Sequence, residues 1–305
     1  MGHKLIVSFS GGETSAYMTD WLINRGGAEQ LHCSDVCVVF ANTGQESEAT
    51  LEFVRRCDTD LGFRTVWLEA DINPVLNGRS SFTVVDYKSA DRDGVVFEAM
   101  VRKLGLPNRQ FKHCSRILKA VSIEVYARHG LGWSGHYTAI GIRVDETDRI
   151  SLAARKRRLL YPLINIHPKT KAQISSWWRD QSFRLELEQW AGNCKWCCKK
   201  SYRKLVAVYR KDPSAFDFPK MLERKYARVG PEFDPTRRRD GSAPPIGYYR
   251  TMFARSKPAS YIEELSKELG DSFVLPTDEM QVFDDEIDAA GGCGDSCEVY
   301  SDDDI

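Results

Sequence analysis

A short loop rich in serine and glycine has residue types that suit phosphate binding. It reads Ser8-Phe9-Ser10-Gly11-Gly12-Glu13-Thr14-Ser15 and stands between a predicted strand and a predicted helix. The glycines allow a tight turn, so that backbone N–H groups and the helix N-terminus point at one spot, where two serine hydroxyls add donors. No Gly-Lys-Ser/Thr follows, which excludes a Walker A loop. An ordinary turn before a capped helix has the same composition, but the position after an N-terminal buried strand favours a phosphate site.

The nine cysteines form a second group that could do chemistry. Their number is odd and no secretory signal precedes them, so a disulfide framework is not expected. Cys33, Cys37 and Cys57 lie in or beside apolar runs, where thiols behave as small hydrophobes. The other six are Cys114, Cys194, Cys197, Cys198, Cys293 and Cys297, of which Cys194 and Cys197 form a C-x-x-C motif. Thiolates suit both iron–sulfur clusters and zinc, and spacing alone does not choose between them.

The elements that must position these groups alternate between strand and helix in the first half of the chain. Apolar runs predict strands at Lys4–Phe9, Val36–Ala41, Arg64–Glu69 and Tyr137–Ile142, and helical spacing predicts helices at Thr14–Asn24, Glu48–Leu61 and Ala120–Arg128. This alternation predicts an α/β fold with right-handed crossovers and a doubly wound, mostly parallel sheet. Ligands of such sheets bind at the carboxyl ends of the strands. We therefore expect the polar motifs after the first, second and last of these strands to converge on one crevice.

The remaining segments are less regular. The polar segment Asp71–Asp93 predicts a loop or lid, and the Pro/Gly/Arg-rich segment Pro231–Tyr249 predicts a long loop. Helices are predicted at Ser175–Trp190 and Tyr261–Leu269. A length of 305 residues predicts about two domains. We expect a first domain at 1–165, a basic, helical, cysteine-rich region at 166–282 and an acidic Gly/Cys tail at 283–305.

The charges are distributed unevenly, although the net charge is zero. Residues 151–260 carry 25 Lys and Arg against 9 Asp and Glu, whereas residues 261–305 carry 1 against 15. A basic middle favours a polyanion such as nucleic acid, but solvated helix faces with a soluble tail have the same composition. The runs that could follow a sugar-phosphate backbone are Arg155-Lys156-Arg157-Arg158, Lys199-Lys200, Arg203-Lys204 and Arg237-Arg238-Arg239.

Composition excludes several classes of protein. Hydrophobic residues make up 42% of the chain and charged residues 28%, as in ordinary soluble proteins. No apolar run approaches the roughly 18 residues that span a bilayer, and the first residues lack the apolar core of a signal peptide. These features predict a cytoplasmic protein without a membrane partner.

Six motifs in register resemble the superfamily of PP-loop ATP pyrophosphatases and phosphoadenosine phosphosulfate (PAPS) reductases. Besides the Ser-Gly-Gly loop they are Phe40-Ala41-Asn42-Thr43-Gly44-Gln45-Glu46, Cys114-Ser115-Arg116-Ile117-Leu118-Lys119, Gly141-Ile142-Arg143-Val144-Asp145-Glu146, Tyr161-Pro162-Leu163 and Gly192-Asn193-Cys194. The match covers roughly residues 4–205 and departs at Glu13-Thr14, where pyrophosphatase members commonly carry Lys-Asp. The resemblance implies an adenine nucleotide alpha hydrolase-like fold.

The same resemblance implies a set of nucleotide-binding residues. Ser10, Gly11, Gly12 and Ser15 would cradle phosphates, and Asn42, Thr43, Gly44 and Glu46 would lie at the adenosine. The full set is Ser8, Ser10, Gly11, Gly12, Thr14, Ser15, Asn42, Thr43, Gly44, Glu46, Arg116, Lys119, Gly141, Arg143 and Arg149. The guanidinium forks of Arg143 and Arg149 fit a phosphate or sulfate. The alternative is that they pair with the acids of their own loop, Asp145, Glu146 or Asp148.

For the cysteines, the resemblance implies a four-iron (4Fe–4S) cluster more strongly than zinc. In adenosine phosphosulfate (APS) reductases a Cys-Cys pair precedes a C-x-x-C by about the interval that separates Cys114 from Cys194, which is 80 residues here. The implied ligands are Cys114, Cys194, Cys197 and Cys198. Because the first pair is His113-Cys114 in this chain, the fourth ligand stays open among His113, Cys198, Cys293 and Cys297.

Three functions follow from the resemblance. The first is an ATP pyrophosphatase, with Mg²⁺, that adenylates an acceptor for sulfur transfer, because pyrophosphatase members keep the glycine pair more faithfully than the reductases. The basic segment would hold nucleic acid as that acceptor, and a sulfur donor would be a partner. The second is a PAPS or APS reductase, in which Cys293 or Cys297 on the glycine-rich tail is the catalytic nucleophile and a thioredoxin-like reductant is the partner. The third is a non-catalytic nucleotide-binding redox sensor.

Overall fold

The computed structural model describes residues 2–75, 77–108, 111–188, 190–229, 248–249, 251–253 and 257–276. Cys293, Cys297 and the Arg237-Arg238-Arg239 run therefore lie outside the described residues, as does the acidic tail. Most of the predicted loop Pro231–Tyr249 also lies outside them.

Strands and helices alternate through the first part of the chain. The strands are β1 (His3–Ser8), β2 (Cys33–Ala41), β3 (Val66–Asp71), β4 (Ser81–Val85), β5 (Tyr137–Ile140), β6 (Leu159–Leu160), β7 (Arg228–Val229) and β8 (Tyr248–Tyr249). The α-helices are α1 (Glu13–Asn24), α2 (Gly27–Gln30), α3 (Glu48–Leu61), α4 (Val95–Leu104), α5 (Ser122–Val125), α6 (Ala154–Arg157), α7 (Pro162–Asn165), α8 (Lys171–Arg179), α9 (Tyr202–Lys211), α10 (Asp217–Tyr226) and α11 (Tyr261–Leu269). Two π-helical segments, Cys114–Val121 and Tyr126–Gly130, extend α5 at both ends. None of the helices in these described ranges is both long and apolar enough to cross a bilayer.

One six-stranded sheet has the order β4-β3-β2-β1-β5-β6. All neighbouring strands pair in parallel except β3 and β4, which are antiparallel. From β1 the chain proceeds outward through β2, β3 and β4, and it then returns to place β5 on the other side of β1. The expected α/β class with a mostly parallel sheet is confirmed. The reversal of strand order places a crevice at the carboxyl ends of β1 and β5.

Helices cover both faces of this sheet. Leu5 and Val7 of β1 pack on one face with α1, α3 and α8. Ile6 lies between them in sequence and packs on the other face, in a cluster with Ile123 of α5. Burial on both faces explains why β1 is a continuous apolar run rather than an alternating pattern.

A third hydrophobic cluster lies beside the sheet and includes the cysteine-rich segment. Residues of α4, α9, α10 and α11 form half of its buried core, and Trp196 and Cys198 are buried in the same cluster. None of Cys194, Cys197 and Cys198 lies in a helix: Cys194 forms a β-bridge, and Cys198 lies in a turn. The helices follow this segment and begin with α9, whose N-cap Ser201 accepts a hydrogen bond from the N–H of Lys204.

The prediction of an irregular lid over Asp71–Asp93 was wrong in part, because β4 lies within it. Strand β4 pairs with β3 from Trp67 opposite Val85 to Asp71 opposite Ser81. It is an edge strand with exposed side chains, and Val84 is 55% exposed. Its β-branched residues suit a strand, but the neighbouring Asn-Pro and Asn-Gly breakers hid so short an element.

The helix predicted at Ser175–Trp190 lies earlier in the chain, at Lys171–Arg179. It begins with a capping box in which Thr170 and Gln173 exchange side-chain hydrogen bonds with each other's backbone N–H. Trp178 and Phe183 pack against one another with ring centroids 5.6 Å apart. Residues five positions apart point about 140° apart on an α-helix, so the chain has to leave the helix for Phe183 to reach this contact.

Candidate functional site

The loop between β1 and α1 is closed by its own hydroxyl groups. The N–H of Ser10 donates to Ser15 Oγ at 3.2 Å, and Ser15 Oγ donates to the carbonyl of Gly12 at 2.9 Å. Gly11 has φ +80°, and a Cβ there would lie 2.6 Å from Thr50 Cγ2, so both backbone and packing require glycine. Gly12 is the N-cap of α1 and has no side chain to accept from the first N–H groups. These N–H groups at the crevice favour an anion.

The loop after β5 reaches the beginning of α1. A Cβ at Gly141 would lie 2.9 Å from Ser15 Cα, so the two backbones are in contact there. The side chain of Arg143 is buried and donates from Nη1 to Thr14 Oγ1 at 2.9 Å. The polar motifs after β1 and β5 therefore meet, as the strand order requires.

Both arginines of this loop are paired with its acids. Arg143 Nε lies 3.1 Å from Asp145 Oδ1, and Arg143 Nη2 lies 3.3 Å from Glu146 Oε1. Arg149 also pairs with Glu146. Asp145 is 40% exposed and Glu146 is 9% exposed, so Asp145 is the partner that an incoming oxyanion would displace. The interpretation that both arginines pair with acids of their own loop is thus confirmed.

The loop after β2 is fixed by buried polar contacts. Asn42 Nδ2 donates to Glu69 Oε1 at 2.6 Å and to the carbonyl of Asp91 at 2.9 Å. Gly44 has φ +76°, and a Cβ there would lie 2.3 Å from Asp91 Oδ2. Asn42 and Gly44, predicted to lie at the adenosine, therefore also shape the loop through contacts within the protein.

Glu46 connects this loop to the helix that begins at Cys114. Its carboxylate accepts from the N–H of Thr43 at 2.8 Å and lies 3.6 Å from Lys119 Nζ. Both Glu46 and Lys119 are buried. Arg116 lies one turn earlier on the same helix and is exposed. Lys119 is thus held inside the site by Glu46, whereas Arg116 lies at its surface.

The cysteine-rich segment is joined to the loop after β2 by backbone hydrogen bonds. Glu46 and Cys194 form an antiparallel bridge, and the N–H of Ser47 donates to the carbonyl of Asn193 at 2.8 Å. The buried Lys200 closes the segment, because its Nζ donates to the carbonyl of Cys194 at 2.9 Å. The motifs around residues 42–46, 114–119 and 192–194 are therefore adjacent in space.

Asn193 links this segment to the Ser-Gly-Gly loop and was not among the predicted site residues. Its Nδ2 donates to the carbonyl of Ser10 at 2.7 Å. The side chain is buried, and among the described residues its Oδ1 has no hydrogen-bond partner. Asn193 lines a pocket together with Gly12, Thr14 and Arg143. Its place in the Gly192-Asn193-Cys194 motif was the one signal in the sequence that could have identified it.

Cys194 lies in a protein environment that disfavours the thiolate. Burial raises the pKa of Cys194 to about 12, and the Glu46 carboxylate adds to this effect. Lys200 and Lys119 act in the opposite direction, and the Cys114 thiol raises this pKa slightly further.

Thiolates are suitable ligands for an iron–sulfur cluster or zinc, but the positions of the described side chains do not match such a site. All seven described cysteines are outside disulfides. Yet in the part of the chain that the structure describes, no three His, Cys, Asp or Glu side chains are grouped as for a metal ion. Cys114, Cys194, Cys197 and Cys198 do not complete a ligand set there, and the candidate ligands Cys293 and Cys297 fall outside it.

We predict that Cys194 resists alkylation in the folded, metal-free protein. At pH 8 a thiol with a pKa of about 12 is almost entirely protonated, and only the thiolate reacts with iodoacetamide. The labelling rate of Cys194 should rise about tenfold per pH unit from pH 8 upward, since the thiolate fraction does so. Peptide mass spectrometry after timed labelling measures it, with denatured protein as the control. Rapid labelling of Cys194 at pH 8 would contradict the raised pKa of this half-buried thiol.

Comparison with known proteins identifies a relative of nearly the same length. No protein-family model matches the chain. It is 30% identical over 300 residues to the uncharacterized nin region protein ORF290 of Escherichia phage lambda, a match that spans 97% of this chain and 94% of the phage protein. The chain therefore belongs to the same family as this phage lambda protein.

Proposed function

We propose that this protein is a nucleotide-binding enzyme of the PAPS reductase and PP-loop ATP pyrophosphatase superfamily, and that it uses ATP to adenylate an acceptor for sulfur transfer. The observation that supports this most is the meeting of four groups at the strand-order reversal. They are the Gly11 turn, the N-terminus of α1, the Arg143 guanidinium and the Oδ1 of Asn193, which has no hydrogen-bond partner among the described residues. N–H groups and a cation at one spot attract a polyphosphate.

The reaction requires an oxygen of the acceptor to attack the α-phosphorus of ATP. A bond between that oxygen and phosphorus forms, the bond to the bridging oxygen breaks, and pyrophosphate leaves with its electron pair. The α1 N-terminus and Arg143 would stabilise the charge that grows on the phosphates, and Mg²⁺ would enter with the nucleotide. The Oδ1 of Asn193, which accepts from no described residue, would accept from a ribose hydroxyl, an adenine amino group or a Mg²⁺-bound water.

Sulfur then has to displace the adenylate from the acceptor, with AMP as the leaving group. Cys114 and Cys194 lie on the segments that border the loop after β2. Because the pKa of Cys194 is raised to about 12, it would serve poorly as a free thiolate nucleophile. Cys114 and Cys197 remain the proposed partners of Cys194 in a thiolate-ligated cluster, with the fourth ligand from His113, Cys198, Cys293 or Cys297.

The proposed acceptor is nucleic acid. Residues 151–260 carry 16 more basic than acidic residues, which is the charge pattern that favours a phosphate backbone. Thiolation of transfer RNA and phosphorothioation of DNA both fit an adenylating enzyme with such a surface.

Calorimetry on anaerobically purified protein tests the proposal with ATP and PAPS as competing ligands. We expect ATP to bind more tightly, and pyrophosphate to be released when RNA or DNA is added. Tighter binding of PAPS would overturn the proposal in favour of a sulfonucleotide reductase. In that case Cys293→Ser and Cys297→Ser variants should lose sulfite release. Tight ATP binding without release of pyrophosphate or AMP under any condition would favour a nucleotide-binding sensor instead.

A further inference from the structure

A second pocket lies at the amino ends of the strands, whereas the proposed nucleotide site lies at their carboxyl ends. It is formed where β5 and β6 begin, by the residues that precede Tyr137 and Leu159, and by the end of the π-helical segment Tyr126–Gly130. Its volume is about 370 Å³, within the range of pockets that hold small ligands. None of the proposed nucleotide-binding residues lines it.

The pocket is strongly basic. Arg128, Lys156, Arg157 and Arg158 line it together with a single acid, Glu124. The Oε1 of Glu124 lies 3.6 Å from His136 Nε2, so this carboxylate also contacts the histidine. Four cations against one carboxylate make this a site for an anion.

Several of these cations have no acidic partner among the described residues. Arg56 and Arg92, elsewhere on the surface, each pair with a carboxylate at 2.9 Å or less. In contrast, no carboxylate within the described ranges lies within ion-pair distance of Arg128, Lys156 or Arg158, all of which are exposed. Like-charged side chains gathered without counter-charges repel one another, which is the arrangement expected where an anionic partner supplies the missing charge.

The backbone holds Arg158 in this position at a conformational cost. Arg158 has φ +55°, in the left-handed region that few residues other than glycine adopt. Its carbonyl accepts from the N–H of Thr138 at 3.0 Å, which fixes it at the start of β5. A Cβ on Gly135 would lie 2.5 Å from Arg158 Nη1, so the guanidinium packs directly over that glycine. The pocket wall thus presents a positioned guanidinium rather than a free surface side chain.

An aromatic ring completes the pocket. Trp133 is half-buried in its wall, and Lys4 Nζ lies 5.6 Å from the centroid of the Trp133 ring. A basic groove with an aromatic platform is how proteins bind single-stranded nucleic acid, because the cations contact phosphates and a base stacks on the ring. Inorganic phosphate would use the cations but would gain nothing from the indole.

We propose that this pocket binds the phosphodiester backbone of a single-stranded segment of nucleic acid, with one base or sugar against Trp133. The inference rests on the proposed function, since it specifies where the nucleic-acid acceptor is held. β6 is an edge strand of the sheet. A nucleic-acid strand held where β6 begins could extend along this edge of the sheet to the carboxyl ends of the β-strands, where the nucleotide would bind.

Fluorescence anisotropy with a labelled oligothymidylate of about 15 nucleotides tests this inference without ATP present. We expect the double variant Arg128→Gln/Lys156→Gln to bind about tenfold or more weakly at roughly 100 mM salt. Two lost phosphate contacts should also reduce the slope of log K against log salt by about 1.4. The double variant Arg79→Gln/Lys88→Gln removes the same charge from exposed residues outside the pocket and should bind like the unchanged protein.

The outcomes separate this inference from the proposed function. Equal binding by all three proteins, equal weakening by both double variants, or no binding of the oligonucleotide at all would overturn the inference. Displacement of the oligonucleotide by equimolar AMP or by inorganic phosphate would also overturn it and assign the pocket to a small anion. Calorimetric binding of ATP should be unchanged in both double variants. Failure of the unchanged protein to bind ATP would overturn the proposed function alone, whatever the oligonucleotide does.

Discussion

Replacing Trp178 with alanine is expected to lower the free energy of unfolding by about 3–5 kcal/mol. Trp178 is 1% exposed and lies between Phe53 of α3, at a centroid distance of 5.0 Å, and Phe183. Removing the indole leaves a cavity at the point where α8 packs on the sheet. It also removes the hydrogen bond that Trp178 Nε1 donates to the carbonyl of Glu13 at 2.9 Å. Urea denaturation followed by far-UV circular dichroism measures the loss.

Two further variants separate the packing from the hydrogen bond. Trp178→Phe keeps a ring in the core but removes the N–H, and should cost about 1–3 kcal/mol. Trp177→Ala removes the same residue type from the neighbouring, half-buried position and should cost clearly less than Trp178→Ala. Equal losses for the two alanine variants would show that the buried face of α8 is not what stabilises this packing. Because Glu13 begins α1, Trp178→Phe should also weaken nucleotide binding.

The strands and the helices that cover them could be predicted wherever burial alone decides the pattern. β1 is buried on both faces and was predicted within one residue at each end, and α3 was predicted over its whole length. β4 escaped prediction because it is an exposed edge strand whose formation depends on pairing with β3 and not on burial of its own side chains. The end of α8 escaped because the tertiary contact of Phe183 with Trp178 overrides helical spacing.

The sequence predicted which motifs meet at the site, but not which of their side chains contact one another. Strand order placed the motifs after β1 and β5 together, and Gly11, Gly141 and Arg143 lie there. That Asn193 would donate to Ser10 across 183 residues could not be inferred, since no local pattern reports so distant a contact. The tail cysteines and the grouping of metal ligands remain predictions.

Arg143→Gln is expected to weaken ATP binding roughly 10- to 150-fold, the range for loss of a charged hydrogen bond of about 1.5–3 kcal/mol. Arg143 is buried with its Nη1 on Thr14 Oγ1, and Asp145 is the exposed partner that a phosphate would displace. Glutamine keeps a polar side chain of similar reach but lacks the charge and the fork of the guanidinium. Arg143→Lys keeps the charge and should recover only part of the affinity, because an ammonium cannot contact Thr14 and a phosphate as a planar fork does. Calorimetry with ATP measures both variants.

Arg25→Gln serves as the matched control because Arg25 follows the other end of α1. It pairs with Asp20 at 2.7 Å, so the substitution removes an ion pair and a positive charge of the same kind. We expect it to leave ATP affinity unchanged, since an electrostatic effect at the far end of the helix is largely screened at physiological salt. Urea denaturation of both proteins reports whether either substitution disturbs the fold. An Arg143→Gln protein that unfolds normally and binds ATP as tightly as the Arg25→Gln protein would mean that Arg143 serves its own loop and not the nucleotide.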